Sequence, residues 1–151
     1  MCSSDLSEGE FLGMVLDGAI TLPATDVPEP FIDINDIADV AVAALTEDDH
    51  SGEIYEVTGP RLLTFADAAT EISVAAGRDV QFVQIPGDAF AGAIAESGAP
   101  EDIAGLLNYL FETVLDGRNA YVADGVQRAL GREPADFSDF AKRIASRGTW
   151  N

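Results

Sequence analysis

Positive charge is scarce in this 151-residue chain: 8 Lys and Arg stand against 27 Asp and Glu, a formal net charge of −19, and no basic side chain precedes Arg61. Nucleic acid and anionic membrane surfaces are disfavoured as partners, because both are gripped through clustered basic side chains. Cysteine is reduced to Cys2 and histidine to His50. One thiol forms no internal disulfide, and one imidazole with one distant thiol gives no zinc-ligand spacing. No apolar run reaches the ~18 residues of a membrane span. The opening MCSSDLSEGE has neither the basic end nor the apolar core of a secretory signal. A cytoplasmic location is the expectation that follows. The acidity reads as a solvated surface, with adaptation to high salt as the sharper alternative.

Catalytic spacings are missing as well. The glycines never fall in the G-x-G-x-x-G or G-x-x-G-x-x-G spacing that cradles a dinucleotide phosphate after a strand. The single lysine, Lys142, has Ser138 rather than a tyrosine four positions before it, so the Tyr and Lys pair of many short-chain reductases is absent. His50 lies in the acidic turn 46–52 and is expected in solvent, where it cannot serve a hydrolytic triad. Asp33, Asp36 and Asp39 follow i, i+3 steps that bring them together at a helix start. They are conceivable metal ligands, with helix capping and solvation as the competing account. No catalytic residue, cofactor-binding residue or metal ligand is assigned.

What is present is one soluble domain: 47% hydrophobic and 23% charged residues suit a globular chain. Residues 28–44 organise it, an extended segment at 31–34 leading into an amphipathic helix capped by Asp33 or Asn35. Ile37, Val40, Ala41, Ala44 and Leu45 make the expected buried stripe of that helix. Before it come a helix over 7–17, with Ser7 and Glu10 as a capping box, a strand at 19–22, and a surface loop at 23–30. After it come a strand at 53–59, then a helix opened by Thr64 and Asp67 and closed by Gly77, with Phe65, Ala69, Ile72 and Ala76 inward. A strand at 80–85 follows. The remainder reads as helices: 87–98; 101–115, with Ile103, Leu106, Leu107, Leu110 and Val114 on one face; 124–130; and one capped by Asp136 with Phe137, Phe140, Ala141 and Ile144 inward. The fold class is α/β: a partial Rossmann-like sheet of three or four short strands with a carboxy-terminal helical lobe. Phe31, Tyr109 and Phe111 are candidate walls of an apolar pocket, with core packing as the alternative.

Five words of the sequence resemble one family in combination: SEGEF at 7–11, PEPFIDINDIADVAVAAL at 28–45, EIYEVTGPRLLTFADAA at 53–69, LDGRNA at 115–120 and VQRALGREPADFSDFA at 126–141. The chain resembles the carboxy-terminal half of NmrA-like proteins, atypical short-chain dehydrogenase/reductases that bind NAD(P). The resemblance implies that residues 1–85 are the end of the NAD(P)-binding domain and 86–151 a helical substrate lobe. It also implies a truncated chain, lacking the glycine-rich half. Family members carry Phe-Met-x-Asn-Phe near the nicotinamide, where this chain has Ser3, Ser4, Asp5 and Leu6. By this resemblance the complete family takes NAD(P) and a small-molecule acceptor such as a quinone, whereas the chain alone is expected to bind no cofactor. Two functions stay open: the substrate lobe of an NAD(P)H-dependent oxidoreductase, inactive alone, or a non-catalytic NAD(P)-sensing regulator that meets a protein partner. A homodimer or protein partner is expected to cover the sheet edge left open.

Overall fold

The computed structural model describes residues 1–9, 11–96 and 101–151. Its best-defined helices begin where local chemistry dictates. The Thr64 side chain accepts from the Asp67 backbone N–H at 3.1 Å while the Asp67 carboxylate accepts from the Thr64 N–H at 2.9 Å, a reciprocal cap that starts α3 (Phe65–Ala76). Gly77, at φ 66°, ends it in the left-handed conformation that glycine adopts without steric cost. Asp136 accepts from the Ser138 N–H at 2.9 Å and starts α7 (Phe137–Ser146). The expected stripes largely meet: Phe65, Ala68, Ala69 and Ile72 of α3 are buried, as are Phe137, Phe140, Ala141 and Ile144 of α7, and the two helices pack together. Ala76, expected inward, is half-buried, and Ala68 takes its place. Phe31 seals the joint, its ring 5.3 Å from those of both Phe65 and Phe137. Arg61 clamps the helices from outside, bonding Asp136 at 2.7 and 2.8 Å and Glu71 at 2.8 Å. The guanidinium holds the Asp136 carboxyl well below the usual range. That contribution is present above the ordinary carboxylate pKa of about 3.9 and is lost only as pH falls through the lowered value.

The sheet is small. Gly18, at φ 84°, turns the end of α1 (Leu12–Asp17) into β1 (Ala19–Leu22), which pairs in parallel with β2 (Gln81–Gln84), Ile20 opposite Phe82. Ile20 and Leu22 are fully buried against the helices. The α/β class expected from the sequence is the class observed, but these are the two strands that form among the described residues. Residues 31–34 and 53–59, expected as strands, do not join a ladder. The first makes a single bridge, Ile32 with Cys2, just after a bridge of Glu29 with Leu63, and then enters α2 (Ile34–Thr46). The second is held sideways instead: the Glu56 carbonyl accepts from the Gly125 N–H at 3.1 Å, and the Thr58 hydroxyl donates to the Ala123 carbonyl at 3.3 Å. A side-chain pattern suited to a strand does not make one without a neighbour to pair with.

Other expectations are corrected by long-range contacts. Ser7 does not cap α1: residues Ser3–Leu6 form a 3-10 turn, the Ser7 hydroxyl donates to Ser4, and the helix starts at Leu12. Glu10, the expected capping partner, lies outside the described residues, as do Ser97 and Gly98 at the end of the expected 87–98 helix, observed as α4 (Gly87–Glu96). In α2 the buried side chains are Asp36, Val40 and Ala43, facing α6 (Gly125–Leu130). Asp36 turns that face inward because it accepts from the Ala135 N–H at 2.8 Å and pairs with Arg132 at 2.6 Å. Of the stripe read from periodicity, Val40 is buried as expected, while the other four residues point outward, with Ile37 at 36% and Leu45 at 86% exposure. α5 (Glu101–Tyr109) gives way to a π-helical turn at Leu110–Val114. Wider turns rotate the following residues. Phe111 and Leu115 are buried, while Ile103 and Leu106 stay exposed. Among the described residues no helix is long and apolar enough to cross a membrane.

Candidate functional site

The loop at 23–30, expected on the surface, carries Glu29 and Pro30 into the interior. Its backbone is fixed by a reciprocal pair of bonds, Glu29 N–H to the Leu63 carbonyl at 2.8 Å and Leu63 N–H to the Glu29 carbonyl at 3.0 Å. The amino-terminal residues are brought alongside by the Ser3 N–H donating to Ile32 at 2.9 Å and the Ile32 N–H donating to Met1 at 3.0 Å. Residues 56–58 close a second wall, and the π-helical turn aims Leu110 and Val114 at it. The result is an open cleft of about 400 Å³ whose lining includes Met1, Pro30, Val57, Leu110, Val114 and Leu115, the apolar walls usual for a small-molecule site.

Polar groups interrupt those walls, with Asp5, Glu29, Glu56, Thr58, Asn119 and Tyr121 in the same lining. Tyr121 donates to Glu56 at the mouth, and that hydrogen bond raises the phenol pKa. Arg118 beside Asp116 holds the Asp116 carboxyl down at about 2. Glu29 differs from both: the residue is 2% exposed, and its Oε1 has no hydrogen-bond partner among the described residues. Burial raises its pKa, and the nearby Asp116 charge adds to the rise, while the amino terminus opposes it. A buried carboxyl without a partner carries a desolvation cost, which marks it as a functional candidate. A smaller cavity of about 220 Å³, between Pro60, Val122 and Pro134, includes no such group in its lining.

The sequence-derived candidates lie elsewhere. Phe31 and Phe111 are 2% and 3% exposed, with ring centroids 5.3 and 6.0 Å from that of Phe65, so both are core. Tyr109 is 56% exposed and apart from them. The structure brings Phe31 and Phe111 into one aromatic cluster and leaves Tyr109 outside it. The aspartates at the start of α2 serve arginines: Asp33 caps the helix at 3.0 Å and pairs with Arg143, and Asp36 and Asp39 both pair with Arg132. Among the described residues no group of His, Cys, Asp or Glu is arranged to hold a metal. His50, expected in solvent, has a side chain only 7% exposed, its Nδ1 2.7 Å from the Tyr55 hydroxyl. Glu29 escaped notice because prolines on both sides read as loop. A carboxylate between two prolines and directly ahead of the apolar Phe31 and Ile32 was the available signal.

No family model matches the chain. It is 37% identical over 129 residues to the NAD(P)H azoreductase of Xenophilus azovorans, a match covering 85% of this chain and 45% of that protein. It is 36% identical over 130 residues to the uncharacterized oxidoreductase YesF of Bacillus subtilis, covering 86% and 46%. Among solved structures it superposes on the triphenylmethane reductase of Citrobacter sp. with a TM-score of 0.80 at 18% identity, over 97% of this chain and 50% of the other. The NADPH-dependent quinone oxidoreductase of Escherichia coli gives 0.79 at 19% identity, over 96% and 52%. The chain thus spans about half the length of the relatives it matches. Fold and relatives together define part of a Rossmann-type fold. The chain belongs to the NmrA-like, atypical short-chain dehydrogenase/reductase family, as a carboxy-terminal portion of such a protein.

A dinucleotide does not fit the residues present. β1 runs into Pro23, and β2 runs through Pro86 directly into α4, whose start has the single glycine Gly87 beside Asp88, a charge that opposes a phosphate.

Proposed function

We propose that the chain is the acceptor-binding portion of an NmrA-like NAD(P)H-dependent oxidoreductase that acts on a quinone-type or related acceptor. Residues 1–85 are the closing part of its nucleotide domain and residues 86–151 its helical substrate lobe. The observation that carries this reading is the cleft with apolar walls and a buried carboxyl whose Oε1 has no partner among the described residues, set in a fold that matches about half of each of two solved reductases. Such a cleft suits a flat organic acceptor. The outward residues of α2 also support it: Ile34, Ile37 and Leu45 are exposed on that helix, apolar side chains of the kind a partner surface covers. In this reading the cover is the part of the relatives that this chain does not span.

The chain alone is inert toward the nucleotide, because neither strand is followed by a glycine-spaced phosphate turn. Titrating NADPH against it and following nicotinamide fluorescence is expected to give no saturable binding. A micromolar dissociation constant would refute that inertness.

A further inference from the structure

The Glu29 carboxyl has no structural task. Its backbone is already anchored to Leu63, and Oε1 has no hydrogen-bond partner among the described residues, whereas the other deeply buried carboxylates there, Asp33 and Asp36, both hold arginines. A buried ionised group without such a partner is costly, and burial shifts a carboxyl toward its protonated form. A protonated carboxyl has one O–H to donate. We infer that Glu29 is the hydrogen-bond donor of the 400 Å³ cleft, and that the ligand it selects is an uncharged, flat, apolar molecule bearing a carbonyl-type acceptor atom.

Each part of that ligand class has its own source. The acceptor atom answers the Glu29 O–H. The flat apolar body answers the walls built from Pro30, Val57, Leu110 and Val114. The lack of negative charge answers Asp5 and Glu56, which line the same cleft, within a chain of net charge −19. The remaining charged and titratable groups around Glu29 are the amino terminus, which favours its ionised form, Asp116, which disfavours it and is itself paired with Arg118, and the Tyr121 phenol bonded to Glu56. Burial, the largest influence on Glu29, raises its pKa. The donor is therefore present at low pH and is lost as pH rises through that raised value.

This inference rests on the acceptor-binding reading, and two measurements separate their failures. The first needs no ligand: carbon-13 NMR of the side-chain carboxyls in the intact chain, with Glu29→Gln assigning the resonance, is expected to show Glu29 titrating above the ordinary glutamate value of about 4.3. Titration at the ordinary value overturns the inference and leaves the acceptor-binding reading standing. The second is binding of a neutral hydroxymethyl-anthraquinone and of a sulfonated anthraquinone, followed by absorbance. The neutral probe is expected to bind at least ~10-fold more tightly than the sulfonate, weakening as pH rises. Loss of a hydrogen bond in Glu29→Leu is expected to cost at least ~10-fold in affinity for the neutral probe, equivalent to about 1.4 kcal/mol. Glu29→Gln, which keeps an N–H donor, is expected to retain binding and to lose its pH dependence. Equal binding by Glu29→Leu, or preference for the sulfonate, overturns the inference. If Glu29 titrates high and neither probe binds, the inference and the acceptor-binding reading fall together.

Discussion

Replacing Gly59 with alanine is expected to destabilise the chain by about 3 kcal/mol or more, the upper end of what overpacking costs. A Cβ built there lies 1.8 Å from the Phe31 carbonyl oxygen and 2.9 Å from its carbon, both backbone atoms, so no side chain can step aside. The backbones of 58–59 and 31–32 must separate, and Phe31 is the ring that joins α3 to α7. The cleft depends on the same approach, because Glu29 and Pro30 on one wall and Val57 and Thr58 on the other flank it. Urea denaturation followed by the near-ultraviolet signal of buried Trp150 gives the measurement. A loss under about 1 kcal/mol would mean that the two segments part easily and that the cleft is not held by them. Gly52 is the internal control: no atom lies within 4 Å of its Cβ position, and only its φ of 80° resists substitution.

The second large effect concerns charge. Arg132→Ala is expected to cost about 3 kcal/mol, the lower end for breaking a buried ion pair, since Asp36 is 2% exposed while Arg132 is 43% exposed. What is lost is compensation rather than attraction. Asp36 would stay in the interior, still accepting from the Ala135 N–H, with no cation near it. Adding Asp36→Asn to Arg132→Ala is therefore expected to recover part of the loss, because asparagine keeps the acceptor for Ala135 and removes the charge. Denaturation of both variants reads the effect. A double variant no more stable than Arg132→Ala would show that the pair acts through geometry, not through buried charge.

Local chemistry was legible in the sequence. The caps at Thr64 and Asp136, the glycine stop at Gly77, and the inward stripe of α7 all lie in the residues that make them, because capping and periodicity involve neighbours within a turn. The helix at 34–46 was legible too, but not its orientation. Asp36 faces inward because of Arg132 and Ala135, nearly a hundred positions away, and no short-range pattern carries that contact. The strands expected at 31–34 and 53–59 failed for the same reason: their β-forming side chains are real, and no ladder neighbour pairs with them. The site was the least legible part. Aromatics read as pocket walls proved to be core at Phe31 and Phe111, while the group that marks the cleft, Glu29, sits where prolines signal a surface loop. Burial of a loop carboxylate is decided by what packs over it, and that information is spread along the chain.

The central claim is that this chain supplies the acceptor side of a reductase and lacks the nucleotide side. The most direct measurement is a chimera that joins this chain to the part of the Xenophilus azovorans NAD(P)H azoreductase that it does not match, assayed for NADPH oxidation with a neutral quinone. The account predicts quinone-dependent oxidation by the chimera and none by the chain alone. A folded chimera that binds NADPH and leaves the quinone unreduced would contradict it.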